Sequence, residues 1–224
     1  MKNTMPTPEI KELATDEPVD LMQWLFHNRQ WLTIAASVIV VGGGGWWVYN
    51  QSRITKEINA SKALSLAKQS IGAQNSALAQ SDLQKLVARY GGTGSGSEGA
   101  MLLAQLNYDQ NKYQEGITVL ENATKSAPQP MESEIRGLMG DGYLALKNPA
   151  AAAKEYEKAA DLTDRDLERS NQRARAARAY ATAGDSAKSR QIWNDLVSST
   201  KNPAVAAEAR VRIGELTARP AKGN

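Results

Sequence analysis

The chain of 224 residues is 42% hydrophobic and 23% charged, a composition that supplies a folded core and argues against wholesale disorder. It has no cysteine, which excludes disulfide frameworks, thiolate metal sites and cysteine nucleophiles. The formal net charge is only +3, and no dense basic patch with interleaved aromatic residues indicates a nucleic-acid partner.

The N-terminal segment is acidic and polar. For residues 1–20 we predict a disordered acidic tail, because five acidic residues cluster between positions 9 and 20 without a hydrophobic pattern. Residues 21–30 combine large apolar side chains with polar ones, and we predict an amphipathic segment beside a membrane. This segment holds the single histidine, His27, which we interpret as an interfacial residue rather than a catalytic base.

The next segment is apolar and free of charge. No Asp, Glu, Lys or Arg interrupts residues 30–52, and a helix needs about 20 apolar residues to cross the hydrocarbon layer of a bilayer. Aromatic residues at both ends are typical of membrane interfaces. We therefore predict an uncleaved, single-pass transmembrane helix over residues 31–50. The predicted interface residues are Trp31, Trp46, Trp47 and Tyr49.

Four consecutive glycines lie within this predicted helix. In lipid the backbone has no water to bond with, so a helix remains favourable despite its glycines, and small residues let a second helix approach closely. A phosphate-binding loop would need Gly-Lys-Ser/Thr where this chain has two tryptophans, and a cleaved signal peptide would end in small residues. A buried core helix is the other alternative. The predicted docking residues are Gly42, Gly43, Gly44 and Gly45.

The charges that flank the span leave its orientation open. Lys11 and Arg29 precede it, whereas Arg53, Lys56 and Lys62 follow it. The positive-inside rule therefore mildly favours a cytoplasmic C-terminal domain, but long domains translocate largely regardless of charge.

The remainder of the chain repeats itself every 36 to 37 residues. Small residues recur at Ala104, Gly140 and Ala177, and large residues recur at the same separations. Each unit reads as two amphipathic helices, and one such pair buries its apolar face only by stacking on its neighbours. We predict an all-α fold with a right-handed α-solenoid over residues 51–219 and a disordered tail over residues 220–224. The large residues are Leu120, Tyr156 and Trp193.

This spacing resembles the tetratricopeptide repeat, with units that begin at Ser97, Ser133 and Ser170. The third unit departs from the family pattern, because Leu196 stands where alanine is usual. The resemblance implies that the first helix of each unit lines a concave face that binds peptides or partner helices. The implied partner-binding residues are Met101, Gln105, Tyr108, Asp109, Asp141, Leu144 and Arg178, and the third unit adds Ala181 and Thr182.

In this chain an acidic tail and "DLMQWLFHNRQW" precede one predicted membrane helix and divergent repeats. This order of segments resembles the ancillary subunit of the bacterial Sec translocon. The resemblance implies an inner-membrane protein with a cytoplasmic N-terminus and a periplasmic repeat domain. It also implies protein partners: translocon subunits, a periplasmic chaperone of the prolyl-isomerase class and client polypeptides. The alternative is a scaffold of another envelope complex, in cell division or outer-membrane assembly, with the repeats facing either the cytoplasm or the periplasm.

Motifs of catalysis are missing from the sequence. It contains no GxSxG, no HExxH and no Cys/His spacing for a metal. We therefore expect no catalytic residue, no metal, no cofactor and no small-molecule substrate, and we expect a protein that is not an enzyme.

Overall fold

The computed structural model describes Trp24 and residues 29–218, apart from the side chains of Leu32, Ala35 and Ala36. The predicted tails, His27 and most of the amphipathic segment 21–30 lie outside the described residues. Residues 29–218 form nine helices and no strand, which confirms the all-helical repeat fold. The helices are α1 Arg29–Gly72, α2 Ser76–Tyr90, α3 Gly94–Asp109, α4 Tyr113–Thr124, α5 Gln129–Ala145, α6 Pro149–Leu162, α7 Asp166–Thr182, α8 Ser186–Ser199 and α9 Pro203–Ala218.

The same backbone conformation recurs in the turn of each hairpin. A residue with positive φ closes each hairpin, at Gln74 (57°), Asn111 (60°), Lys147 (57°) and Gly184 (89°). Their separations match the period of 36 to 37 residues in the sequence. At three of the four turns, the next residue caps the second helix by accepting a hydrogen bond from a backbone N–H, and these caps are Asn75, Asn148 and Asp185.

The hairpins stack through small residues that face large ones. Gly140 on α5 lies so close to Tyr156 on α6 that an added Cβ would stand 2.4 Å from the ring. In the neighbouring hairpins Ala104, Leu120, Ala177 and Trp193 are at most 1% exposed. Successive helices from α2 to α9 pack on each other, α3 also contacts α5, and α7 also contacts α9. The repeat predicted from the sequence is therefore the repeat that builds the core.

Contacts divide the chain into residues 1–52 and residues 53–224. In the first unit, every residue from 29 to 52 with a described side chain is exposed. The predicted helix 31–50 is present as part of α1. Its assignment as a transmembrane span is not supported: in the described part of the chain, no helix combines the length and apolar character needed to cross a membrane.

In the second unit, α1 is bonded to the start of α3. The Glu57 carboxylate accepts hydrogen bonds from the backbone N–H groups of Gly94 and Ser95, both at 2.9 Å, and from the Ser95 hydroxyl at 2.6 Å. Thr93 caps the same helix by accepting a bond from the Gly96 N–H at 2.9 Å. These bonds satisfy N–H groups that the first turn of a helix leaves without partners. Desolvation raises the pKa of Glu57, but the bonds from Ser95 and Gly94 outweigh it, and the pKa lies below its ordinary value.

We expect Glu57→Gln to lower the free energy of unfolding by about 1 kcal/mol at neutral pH, the usual worth of a helix cap. Because the folded-state pKa of Glu57 is depressed, the carboxylate stabilises the fold above its unfolded-state pKa of about 4.3. That stability is lost as the pH falls through the folded-state pKa. Urea unfolding followed by circular dichroism between pH 7 and pH 3 measures the difference between the two proteins.

The matched control is Asp161→Asn, which removes a carboxylate from an exposed position on α6. This control should shift stability by less than about 0.5 kcal/mol. A deficit of Glu57→Gln that stays constant down to pH 3 would contradict the charged cap.

Candidate partner-binding site

The predicted binding residues on α3 divide between surface and core. Gln105 is exposed and donates a hydrogen bond to the Asp109 carboxylate one turn later, at 3.0 Å. Met101 is half-buried against the core. Tyr108 is only 8% exposed, and its hydroxyl donates to the backbone carbonyl of Leu138 at 3.3 Å. The structure therefore gives Tyr108 a packing role. Of the four predicted residues on α3, only Met101, Gln105 and Asp109 offer surface to a partner.

On α5, the predicted residue Asp141 belongs to a cluster that joins three helices. The Tyr156 hydroxyl of α6 donates to the Asp141 carboxylate at 2.6 Å, and the Arg175 guanidinium of α7 is paired with the same carboxylate. Arg175 also lies 4.3 Å from the centroid of the Tyr156 ring, which is a cation–π geometry. Desolvation by burial, followed by the bond to Asp141, raises the pKa of Tyr156. Leu144, one turn after Asp141, is 40% exposed.

On α7, the predicted residue Arg178 makes a two-pronged ion pair with Glu208 of α9. Its Nε donates at 2.7 Å and its Nη2 at 2.5 Å to the two carboxylate oxygens. Arg212 approaches the same carboxylate at 3.6 Å and bonds Glu215 at 2.9 Å. The bond from Arg178 lowers the pKa of Glu208, against the opposing effect of burial. Two cations and two carboxylates neutralise each other at this end of the array.

A cavity of about 730 Å³ opens beside these ion pairs, and we call it the C-terminal cavity. Arg178, Ala181 and Thr182 of α7 line it, as the resemblance implied for the third unit. Helices α8 and α9 complete the walls with residues from Trp193 to Ala218. The guanidinium and carboxylate groups already have partners, and the surface that lines the cavity is mostly apolar. The remaining lining residues are Trp193, Arg212, Glu215, Leu216 and Ala218.

Sequence reasoning missed the contribution of α9 to this cavity. The family pattern was aligned over three units, and α9 lies beyond the third. A signal was nonetheless present, because Ile213-Gly214 repeats the register 37 residues after Ala177. Arg175 was missed for another reason: its pairing with Asp141 depends on how two hairpins stack.

The glycines and aromatic residues of α1 have open surroundings in the structure. An added Cβ at Gly42, Gly43, Gly44 or Gly45 would meet no described heavy atom within 4 Å. The aromatic side chains are between 62% and 74% exposed. Their predicted roles in helix docking and at a membrane interface stay predictions. The aromatic residues are Trp31, Trp46, Trp47 and Tyr49.

Paired helices that stack at a fixed period define an all-α repeat protein of the solenoid class, which typically serves as an interaction scaffold rather than an enzyme. In the described residues, no group of three or more His, Cys, Asp or Glu residues is placed to hold a metal ion.

The family model of the tetratricopeptide repeat-like domain matches residues 22–138, and the chain therefore belongs to this family. The fold is similar to that of the nearly identical repeats of a Podosopora anserina protein, at 16% identity and a TM-score of 0.54, over 70% of this chain and 85% of that one. It is also similar to BtubC from P. vanneervenii, at 13% identity and a TM-score of 0.55, over 82% and 81% of the two chains. No curated protein sequence matches this chain. At these identities the solved structures support the fold alone.

We expect Tyr156→Phe to lower the free energy of unfolding by about 1.5 kcal/mol, because it removes a hydrogen bond to a charged group at a buried position. Chemical unfolding followed by circular dichroism measures the loss. The control is Tyr143→Phe, since the Tyr143 hydroxyl bonds the exposed Glu121 carboxylate at 3.2 Å. It should cost less than about 0.5 kcal/mol. Equal losses in the two variants would show that the bond to Asp141 stabilises the fold no more than an exposed bond does.

Proposed function

We propose that this protein is a membrane-anchored scaffold that binds segments of protein partners in the C-terminal cavity, as an ancillary subunit of the bacterial Sec translocon. One observation supports the binding role above the others. The third-unit positions at which the family binds peptides, Arg178, Ala181 and Thr182, line a cavity large enough for apolar side chains of a partner.

The chemistry of the cavity suits an extended or helical protein segment. Arg178 and Arg212 are bonded to carboxylates of the same chain, so a partner gains little by bringing one further charge. An apolar side chain can instead displace water from Ala181 and Leu216 and gain about 25 cal/mol for each Å² of apolar surface that is buried. Partner binding at this site is therefore driven by apolar burial, with the ion pairs at its rim.

The anchor is supported by the surface of α1 before residue 53. The aliphatic residues 38–41 expose between 65% and 75% of their surface, and charged residues are missing from positions 30–52. A run of exposed aliphatic side chains of this kind marks a site of membrane or protein contact. The aromatic residues at its two ends fit the two interfaces of a bilayer.

The localisation we propose is the bacterial inner membrane, with the N-terminus in the cytoplasm and the repeats in the periplasm. The partners are translocon subunits, a periplasmic chaperone and emerging polypeptides. Tethering gives such a scaffold its advantage, because an anchor beside the exit of the translocon raises the local concentration of these partners. This proposal rests on the order of segments along the chain.

We expect the full-length protein to stay in the membrane pellet after a high-pH wash, and the double variant Ile39→Asp with Val41→Asp to move into the supernatant. Each carboxylate near the bilayer centre costs about 3 kcal/mol. The matched control is Ile54→Asp with Ile58→Asp, at positions 46% and 49% exposed outside the charge-free segment. Immunoblots of pellet and supernatant give the distribution. Wild-type protein in the supernatant would contradict the proposal of a membrane anchor.

The same preparation tests the orientation. Ser61 and Ser186 are exposed, and the chain has no cysteine, so Ser61→Cys and Ser186→Cys each create a unique label site. A membrane-impermeant thiol reagent should label both in intact spheroplasts if the repeats are periplasmic. Labelling only after lysis would place the repeats in the cytoplasm.

We expect Ala181→Trp to fill the C-terminal cavity and to lower the recovery of translocon subunits from detergent-solubilised membranes about tenfold. The indole would occupy the space that a partner side chain needs. Ala150→Trp, on the exposed surface of α6, adds the same bulk elsewhere and should leave recovery unchanged. Thermal unfolding of both variants confirms that they fold. Full recovery with Ala181→Trp would count against the cavity, and recovery of a different envelope complex alone would count against the translocon.

A further inference from the structure

A second groove lies on the first hairpin of the repeat domain, between α1 and α2, and encloses about 590 Å³. We call it the first-hairpin groove. On α2, its lining residues Leu78, Asp82, Lys85 and Arg89 are spaced four, three and four residues apart and form one stripe along the helix. On the opposite wall, the lining residues are Ala63, Leu66, Gln69 and Ser70 of α1, with Ala73 just after the end of the helix. The ten helical residues 63–72 correspond to roughly 15 Å, so the groove has the length of about three helical turns.

The surface that lines this groove is mostly apolar, and two of its leucines are accessible. Leu66 on α1 is 61% exposed and Leu78 on α2 is 48% exposed, although both belong to helices that bury other leucines in the core. The side of α1 that carries Ala60, Leu64 and Ala67 packs against α2 and α3. Leu66 therefore lies on a different side of α1, and the fold leaves that side uncovered.

The edge formed by α2 is basic. Asp82 accepts a hydrogen bond from the Ser70 hydroxyl at 3.2 Å and lies 3.8 Å from the Lys85 ammonium, so this carboxylate is already engaged. Arg89 contacts the ring of Tyr90, at 5.5 Å from the centroid, and pairs with no carboxylate among the described residues. Lys85 and Arg89 stand one turn apart on the same edge. They are placed to meet carboxylates of a molecule that occupies the groove.

Charge also restricts what the occupant is. Residues 53–90 contain six Lys and Arg against two acidic residues, and one of the two acids, Glu57, is bonded to α3. A second copy of the same hairpin would bring like charges together, which disfavours self-association at this surface. A flat bilayer contacts exposed edges but does not reach the floor of a groove between two helices.

We infer that the first-hairpin groove is a docking site for an acidic amphipathic helix of a protein partner, about three turns long. Its apolar stripe lies along Leu66 and Leu78, and carboxylates on one flank meet Lys85 and Arg89. Helices that dock in grooves present apolar anchors at such helical spacings. This site is separate from the C-terminal cavity. The inference does not depend on whether the chain serves the translocon.

The test uses purified full-length protein and two fluorescent synthetic peptides of fourteen residues. Both peptides have leucines at helical spacing; one carries glutamates beside the leucines, and the other carries lysines at the same positions. Fluorescence anisotropy should show that the glutamate peptide binds about tenfold more tightly. The double variant Lys85→Glu with Arg89→Glu should exchange the preference, so that the lysine peptide binds more tightly. Leu78→Glu should weaken the binding of both peptides.

Leu167→Glu is the matched control, because Leu167 is 63% exposed on α7, outside the groove, and its substitution should change neither peptide's affinity. Each of three results overturns the inference. The first is equal binding of the two peptides, or a preference that the double variant leaves unchanged. The second is binding to phosphatidylglycerol vesicles by a protein that binds neither peptide, which assigns the edge to lipid. The third is a dimer in sedimentation that Leu78→Glu dissociates, which assigns the groove to a second copy.

Discussion

The contact between a small residue on one helix and an aromatic ring on its partner sets the distance between the two helices of a hairpin. Gly140 faces the Tyr156 ring, and Gly116 faces the Tyr108 ring, in both cases with an added Cβ only 2.4 Å from the nearest ring atom. At Gly116 the Ala104 backbone carbonyl would also lie 3.0 Å from that Cβ, so two helical backbones meet there. A side chain at either position would require the tyrosine ring or the helices to shift. Because the next hairpin stacks on the surface so formed, the local spacing propagates along the array.

The same stacking determines which polar residues stay available to partners. Asp141 and Arg178 stand at positions that the family uses for binding, yet each is bonded to the following hairpin, through Arg175 and Glu208. Three arginines spaced four residues apart, at the start of α7 and just before it, also pair with carboxylates. Their positive charge is therefore neutralised within the fold. The pairs are Arg165 with Glu134, Arg169 with Asp166 and Arg173 with Asp195.

The two surfaces that we propose to bind partners lie on the first hairpin and beside the last described helix of the repeat domain. The C-terminal cavity adjoins α9, the last described helix, and the first-hairpin groove lies on the first hairpin of the repeat domain. A hairpin inside the array has neighbours on two sides, whereas a terminal one has a neighbour on one side only. Unsatisfied apolar surface at an end of a repeat array requires either a polar capping surface or a partner. The two proposed surfaces differ in charge, because ion pairs neutralise the cavity, whereas Arg89 at the groove pairs with no carboxylate in the part of the chain that the structure describes.

The sequence by itself determined the helical hairpins, their period and their core. Few folds are compatible with small and large residues that recur every 36 to 37 residues. Leu120, Tyr156 and Trp193 are buried, as that pattern predicts. It also located Arg178, Ala181 and Thr182, since their register follows from the period. The tertiary structure alone decided that Tyr108 belongs to the core, that Glu57 caps a helix 37 residues away, and that α9 closes a cavity. These features depend on which faces of separate hairpins meet, and a periodic pattern describes each helix without specifying what it touches.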